Sequence, residues 1–123
     1  HNLGKVITFG SAEADTGIPG DIGGYTVERV LRAPAKGRFR ASLEIGDTVR
    51  CGEVVGIVDG VDVQAKIAGV VRGLIRSNIN VTPGLKLGDI DPRGDKNYCY
   101  TISDKAMAVA GSVLEAVLRV YNV

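Results

Sequence analysis

Apolar residues in most of this chain recur in short runs that are separated by glycine-containing turns. The runs between residues 27 and 91 are Val27–Ala33, Arg38–Ile45, Val54–Val58, Val61–Ile67, Gly69–Ile75 and Leu85–Ile90. Runs of this length, rich in valine and isoleucine and bounded by turn residues, are typical of β-strands. Strands this short and this evenly spaced predict a sandwich or a barrel rather than a βαβ fold.

The same pattern occurs twice. A shift of 32 residues aligns the two copies without a gap. The identical pairs are Ala33 with Ala65, Gly37 with Gly69, Arg40 with Arg72, Val49 with Val81, Gly52 with Gly84, Gly56 with Gly88, and Asp59 with Asp91. Such a repeat predicts two halves packed about a pseudo-twofold axis. Asp59-Gly60 lies between the copies and predicts a tight hairpin turn, because a type I′ turn needs positive φ at both central residues.

The pattern changes period at the C-terminal end. Apolar residues at helical spacing make one face of a helix over 103–123, and they are Ala106, Val109, Ala110, Val113, Leu114, Val117 and Leu118. Ser103 is suited to cap this helix at its N-terminus. We expect the apolar face to pack on the sandwich, on a partner or on another domain.

The whole chain, 1–123, is predicted to be a single mainly β domain with a C-terminal α-helix. Its parts are an N-terminal strand at Lys5–Phe9 with a glycine-rich loop (1–26), the repeated sandwich (27–91), and a loop with the helix (92–123). Because the sequence starts without methionine, we expect it to belong to a longer protein.

Composition narrows the classes of function. A net charge of +1 gives no field that would attract nucleic acid or an anionic membrane, and no apolar run is long enough to span a bilayer. The two cysteines, Cys51 and Cys99, are far apart and suggest free thiols in a cytoplasmic protein rather than a zinc site. The only histidine is His1, so the commonest general base is missing from the rest of the chain.

Three groups of residues have chemical potential. The loop around Thr16, Gly17, Gly20 and Gly23 could align backbone N–H groups around an anion, although a structural crossover explains it as well. Asp89 and Asp91 are two positions apart on a predicted strand and could converge on a cation; a solvated turn is the equal alternative. Five arginines could bind a phosphate or an oxyanion, although surface ion pairs with acidic residues explain most of them equally well: Arg29, Arg32, Arg72, Arg76 and Arg93.

Cys99 follows the acidic loop. Near Arg93 its thiolate would be stabilised and could bind a soft metal or a selenium species, whereas a buried, unreactive thiol is the simpler interpretation.

Residues 27–91 resemble biotinyl/lipoyl domains. The resemblance rests on Ala33-Pro34-Ala35-Lys36-Gly37, on Ile45 to Val55 with its Gly46-Asp47 and Gly52, and on Gly69-Val70-Val71. It implies a biotinyl/lipoyl-like barrel-sandwich hybrid with a pseudo-twofold repeat. In such carriers the hairpin between the halves presents a lysine that takes the prosthetic group. Here the tip, Val58 to Asp62, has no lysine, and Lys66 lies beyond it, so neither biotin nor lipoate is expected.

A second resemblance spans nearly the whole chain. It is carried by Thr16 to Tyr25, Glu28 to Pro34, Gly69 to Ile75, Gly88 to Gly94 and Ile102 to Ala106. These segments resemble the C-terminal domain of accessory proteins found with selenium-dependent molybdenum hydroxylases, a family of unknown biochemical function. The resemblance implies an N-terminal nucleotide-binding-like domain in the same protein, and a role in maturation of the hydroxylase or its cofactor.

Two functions follow from this resemblance. In the first, the domain is a non-catalytic module that binds or delivers a molybdenum–pterin or selenium species, or docks the hydroxylase. The cofactor-binding residues would be Thr16, Gly17, Gly20, Gly23, Arg29, Arg32, Arg93 and Cys99, with Asp89 and Asp91 as metal ligands. In the second, it is part of an enzyme whose main active site lies on the nucleotide-binding-like domain, with Asp91 or Cys99 contributing from this chain.

Overall fold

In the computed structural model, which describes residues 2–122, eight strands form two antiparallel sheets. The strands are β1 (Val30–Arg32), β2 (Gly37–Ala41), β3 (Thr48–Val49), β4 (Val54–Val58), β5 (Val61–Gln64), β6 (Gly69–Leu74), β7 (Ile79–Val81) and β8 (Lys86–Asp91). One sheet has the order β1-β8-β6-β3 and the other β5-β4-β2-β7. The predicted sandwich is therefore confirmed.

The pseudo-twofold repeat is visible in the pairing of the strands. A shift of 32 residues converts β2 to β6, β4 to β8 and β3 to β7, and it relates β1 to β5. Applied to one sheet order, this exchange gives the other order, so each sheet contains strands from both copies. The arrangement is that expected of a biotinyl/lipoyl-like barrel-sandwich hybrid. The hydrophobic core lies between the sheets, and Phe39, Val55, Val71, Leu87 and Ile90 are completely buried in it.

The hairpin between the copies has the turn that the sequence predicts. Asp59 and Gly60 have φ values of 44° and 89°, as a type I′ turn requires. The Asp59 carboxylate accepts a hydrogen bond from the backbone N–H of Arg38 at 3.0 Å, which fixes this turn against β2.

Two strand predictions need correction. The segment Lys5–Phe9 is not a strand: it takes part in neither sheet, and Phe9 is 97% exposed. An alternating pattern forms a strand only where a neighbouring strand satisfies its backbone groups. The strand predicted from Val27 begins at Val30 instead, because Val27–Arg29 forms one turn of 3₁₀ helix.

The chain divides into two compact units. One comprises Gly17–Tyr100 and contains the sandwich; the other comprises the described residues of 1–16 and 101–123. In the second unit the helix α1 (Asp104–Tyr121) begins where predicted, and the Ser103 hydroxyl accepts a hydrogen bond from the N–H of Ala106. The single domain proposed for 1–123 stays a prediction, and its His1 lies outside the described residues.

None of the helices in the described part of the chain is both long enough and apolar enough to cross a membrane.

Candidate functional site

Arg29 connects the glycine-rich loop to the sandwich. Arg29 is the last residue of the 3₁₀ turn Val27–Arg29 and directly precedes β1. The first residue of β1, Val30, pairs with Asp89 of β8. The Arg29 guanidinium donates from Nη1 to Asp89 Oδ2 at 3.1 Å, and from Nε and Nη2 to the carbonyl oxygen of Gly20 at 3.3 and 3.2 Å. A single buried arginine thus fixes the position of a loop that has no strand ladder of its own.

The glycine-rich loop turns back on itself. Ile22 and Tyr25 exchange backbone hydrogen bonds, and Gly23 and Gly24 between them have φ values of 61° and 86°. These left-handed conformations favour glycine. A Cβ at Gly23 would lie 3.3 Å from Cγ of Pro92, so the loop also touches the segment that follows β8.

Asp89 lies between two basic side chains. Besides Arg29 it pairs with Lys86, whose Nζ is 3.3 Å from Asp89 Oδ1. The absence of a side chain at Gly73 leaves room for this carboxylate, because a Cβ there would be 2.8 Å from Asp89 Oδ1.

Asp91 is the most buried ionisable side chain among the described residues, with 1% exposure. Its carboxylate accepts hydrogen bonds from Arg93 Nε at 2.9 Å, Arg93 Nη2 at 2.6 Å and the Arg93 backbone N–H at 3.1 Å. Arg72 Nη1 lies 3.5 Å away. The hydrogen bonds from Arg93 lower the pKa of Asp91, although burial acts in the opposite direction. The carboxyl group is therefore ionised throughout the neutral range.

Arg93 also organises the turn that carries Cys99. Its guanidinium stacks 3.4 Å above the ring of Tyr98, and the turn Lys96–Cys99 is capped by Asp95, which accepts from the N–H of Asn97 at 2.9 Å. The Cys99 thiol is half-buried and lies 3.7 Å from the carbonyl oxygen of Val71. Cys99 therefore follows directly after the residue that stacks on Arg93, while its own thiol contacts β6 at Val71.

We call the six charged side chains of these ion pairs the β8 charge cluster. Its members are Arg29, Arg72, Lys86, Asp89, Asp91 and Arg93. Four basic groups surround two carboxylates, which leaves an excess of two positive charges within the cluster. Such a surface suits an anion better than a metal ion, because both carboxylates already have cationic partners. The described residues include no group of three or more His, Cys, Asp or Glu that could hold a metal.

The structure brings together most of the predicted site residues, but not all. Hydrogen bonds join Arg29 to Gly20 and Asp89, and others join Asp91 to Arg93. Gly23 lies close to Pro92, between Asp91 and Arg93 in the chain. Cys99 lies on the turn whose Tyr98 ring stacks on Arg93. Arg32 does not join them: it donates to the carbonyl oxygen of Gly84, at the Lys86 end of the β1–β8 pair. Thr16 belongs to the other compact unit, whereas Gly17 begins the unit with the sandwich.

Asp89 and Asp91 do not share one partner. They bind different arginines, Arg29 and Arg93, and their assignment as metal ligands stays a prediction. Lys86 and Tyr98 were not predicted as site residues. Lys86 belongs to no recognisable motif. Tyr98 lies five positions after Arg93, and an aromatic residue so close to an arginine indicates that a cation–π contact can form.

This chain is similar to a protein whose activity is not characterized. No family model matches this chain. The uncharacterized protein YqeB of Escherichia coli (strain K12) is 45% identical to it over 122 residues. The match covers 99% of this chain and 23% of the relative, so the chain spans about a quarter of the length of the curated protein that it resembles.

Proposed function

We propose that this chain is a non-catalytic accessory module that handles an anionic cofactor species during maturation of a selenium-dependent molybdenum hydroxylase. The hydroxylase system comes from the sequence resemblance described above. The choice of a binding module rather than a catalyst comes from the geometry around β8.

The observation that carries the proposal is the position of Arg29. It holds the glycine-rich loop through Gly20 and faces Asp89, so that loop and the β8 charge cluster form one surface. Backbone N–H groups of glycine-rich turns and arginine forks are the groups that proteins use for phosphate and other oxyanions. A pterin phosphate, a molybdate-like group or a selenium oxyanion each has this chemistry.

We expect a molybdenum–pterin to bind this surface through its phosphate. Arg29, Arg72 and Arg93 would pair with that group, and the cofactor would contribute the molybdenum centre itself. Cys99, on the adjoining turn, has the soft sulfur ligand that a selenium species would need. Binding of the cofactor by these residues involves no covalent step.

The side chains present do not favour catalysis. The pKa of Asp91 is lowered by Arg93, so this carboxyl is a weak base and holds no proton to donate near neutral pH. The only histidine in the sequence is His1, which lies outside the described residues, so no described histidine lies beside Cys99 or Cys51. A nucleophile with an adjacent base, the usual arrangement for covalent catalysis, is therefore missing from the described residues.

The test compares two arginine variants in the longest natural polypeptide that contains this sequence. Arg29→Gln removes one positive charge of the cluster, and Arg32→Gln is the matched control because Arg32 binds Gly84 at the other end of the strand pair. Binding of molybdenum–pterin cofactor and of selenite is measured by calorimetry, and molybdenum and selenium contents by elemental analysis.

We expect Arg29→Gln to weaken binding of the molybdenum–pterin cofactor roughly tenfold, the equivalent of one charged hydrogen-bond pair, and Arg32→Gln to leave it unchanged. Equal losses in both variants, or no binding in the unmodified protein, would contradict the proposal. Turnover of a hydroxylase substrate by the same polypeptide would favour the enzyme instead.

A further inference from the structure

The helix α1 has an exposed apolar face. We call its seven apolar residues, Ala106, Val109, Ala110, Val113, Leu114, Val117 and Leu118, the helix stripe. The larger members are about half exposed: Val113 is 58% exposed, Leu114 59% and Val117 47%. No residue of the helix is buried. Apolar patches of this size on soluble domains are often interaction sites.

The N-terminal segment of the same unit does not cover the stripe. It approaches the helix at Ala108, where a Cβ on Gly4 would lie 3.1 Å from the Ala108 side chain. Ala108 lies on the opposite side of the helix from the stripe, with Glu115 and Arg119, which form an ion pair at 2.8 Å. These two charged side chains on the polar side thus have partners within the helix, whereas the apolar side chains of the stripe stay exposed.

We infer that the helix stripe docks on a further domain of the same polypeptide. The match to this chain covers only 23% of the relative's length, so about three quarters of that protein lies outside the match. The remaining part of such a protein is long enough to contain a domain that covers the helix stripe. This inference does not depend on the proposed function.

The size of the stripe also favours a tethered partner over a second copy. An 18-residue helix is about 27 Å long, and one face about 10 Å wide presents roughly 300 Å². A stable dimer between separate chains needs about 800 Å² on each partner. Interfaces between domains of one chain begin at about 600 Å² in total, and tethering lowers the cost of bringing the two surfaces together.

The helix stripe has no charged side chain, and the surface on which it docks must match this apolar character. It must be apolar and shaped to receive the branched side chains of Val113, Leu114 and Val117. The helix lacks the basic border that would hold it on an anionic lipid surface.

The test places a photo-crosslinking residue on the helix in the longest natural polypeptide that contains this sequence. One variant has the crosslinker in place of Leu114, within the stripe, and the control has it in place of Lys105, on the polar side. After irradiation, the crosslinked peptides are identified by mass spectrometry. We expect position 114 to crosslink within a monomer to residues outside the 122-residue match, and position 105 to give at least tenfold less of this product.

Amide hydrogen exchange gives an independent measurement. We expect Val117→Glu to raise exchange in 104–121 at least tenfold while the strands of Gly17–Tyr100 keep their protection, and Lys105→Glu to change neither. Crosslinks from position 114 to a second copy, to lipid, or to nothing would overturn the inference. So would unchanged exchange in Val117→Glu.

Discussion

At the scale of single residues, the sequence repeat aligns Asp59 with Asp91, yet the two aspartates have different environments. Asp59 is exposed in a tight turn and accepts from the backbone of Arg38. Asp91 is 1% exposed and is held by the forked guanidinium of Arg93. The difference originates in the next residues, since Gly60 allows a hairpin whereas Pro92 does not, and the chain after Asp91 turns so that Arg93 can reach back.

This pair gives the first prediction. Asp91→Asn leaves Arg93 and Arg72 without their anion, and we expect a loss of about 2 kcal/mol in unfolding free energy at pH 7. The folded-state pKa of Asp91 is lowered, so its contribution is present above the unfolded value near 3.9 and is lost as the pH falls through the folded value. Urea unfolding at several pH values from 7 to 2 should show a weaker pH dependence in Asp91→Asn. Equal slopes in the native protein and in Asp91→Asn would contradict the prediction.

At the scale of elements, local patterns were sufficient for the sandwich strands and the helix, but not for the segments between them. The hairpin at Asp59-Gly60 and the start of α1 at Ser103 depend on residues a few positions apart, and both are confirmed. The anchoring of the glycine-rich loop depends on Arg29 and Asp89, which are 60 residues apart. Their contact follows from the pairing of β1 with β8, a tertiary feature that no local pattern contains.

The helix gives the second prediction. The Ser103 hydroxyl satisfies one N–H of the first turn, so Ser103→Ala should destabilise the helix by about 1 kcal/mol and speed amide exchange in 104–121 about fivefold. Ser112 is the matched control. Its hydroxyl donates to the carbonyl oxygen of Val109 within the helix, and alanine is the better helix former, so Ser112→Ala should slow exchange slightly or leave it unchanged. Equal effects of the two serines would show that Ser103 is not a cap.

At the scale of the whole molecule, the pseudo-twofold relation requires both halves to meet the same steric conditions. Gly56 pairs with Val63 beside an irregularity in β4, and Gly88 pairs with Leu31 beside the equivalent irregularity in the β1–β8 pair. The residue before each glycine, Val55 or Leu87, is completely buried. In both halves a bend in the strand turns a core side chain inward, and the glycine leaves space for a neighbouring strand.

Alanine at these two glycines therefore tests the repeat as a physical constraint. A Cβ at Gly88 would lie 2.1 Å from the carbonyl oxygen of Gly73, and one at Gly56 would lie 2.7 Å from that of Arg40. Backbone atoms in a sheet cannot move without breaking strand pairing. Gly56→Ala and Gly88→Ala should therefore each lower the free energy of unfolding, measured in urea, by about 3 kcal/mol. Gly20→Ala is the control, because nothing lies within 4 Å of a Cβ there, and it should change stability by less than about 0.5 kcal/mol. If only one of the two strand glycines proves sensitive, the halves are alike in topology but not in packing, and the twofold constraint on the core fails.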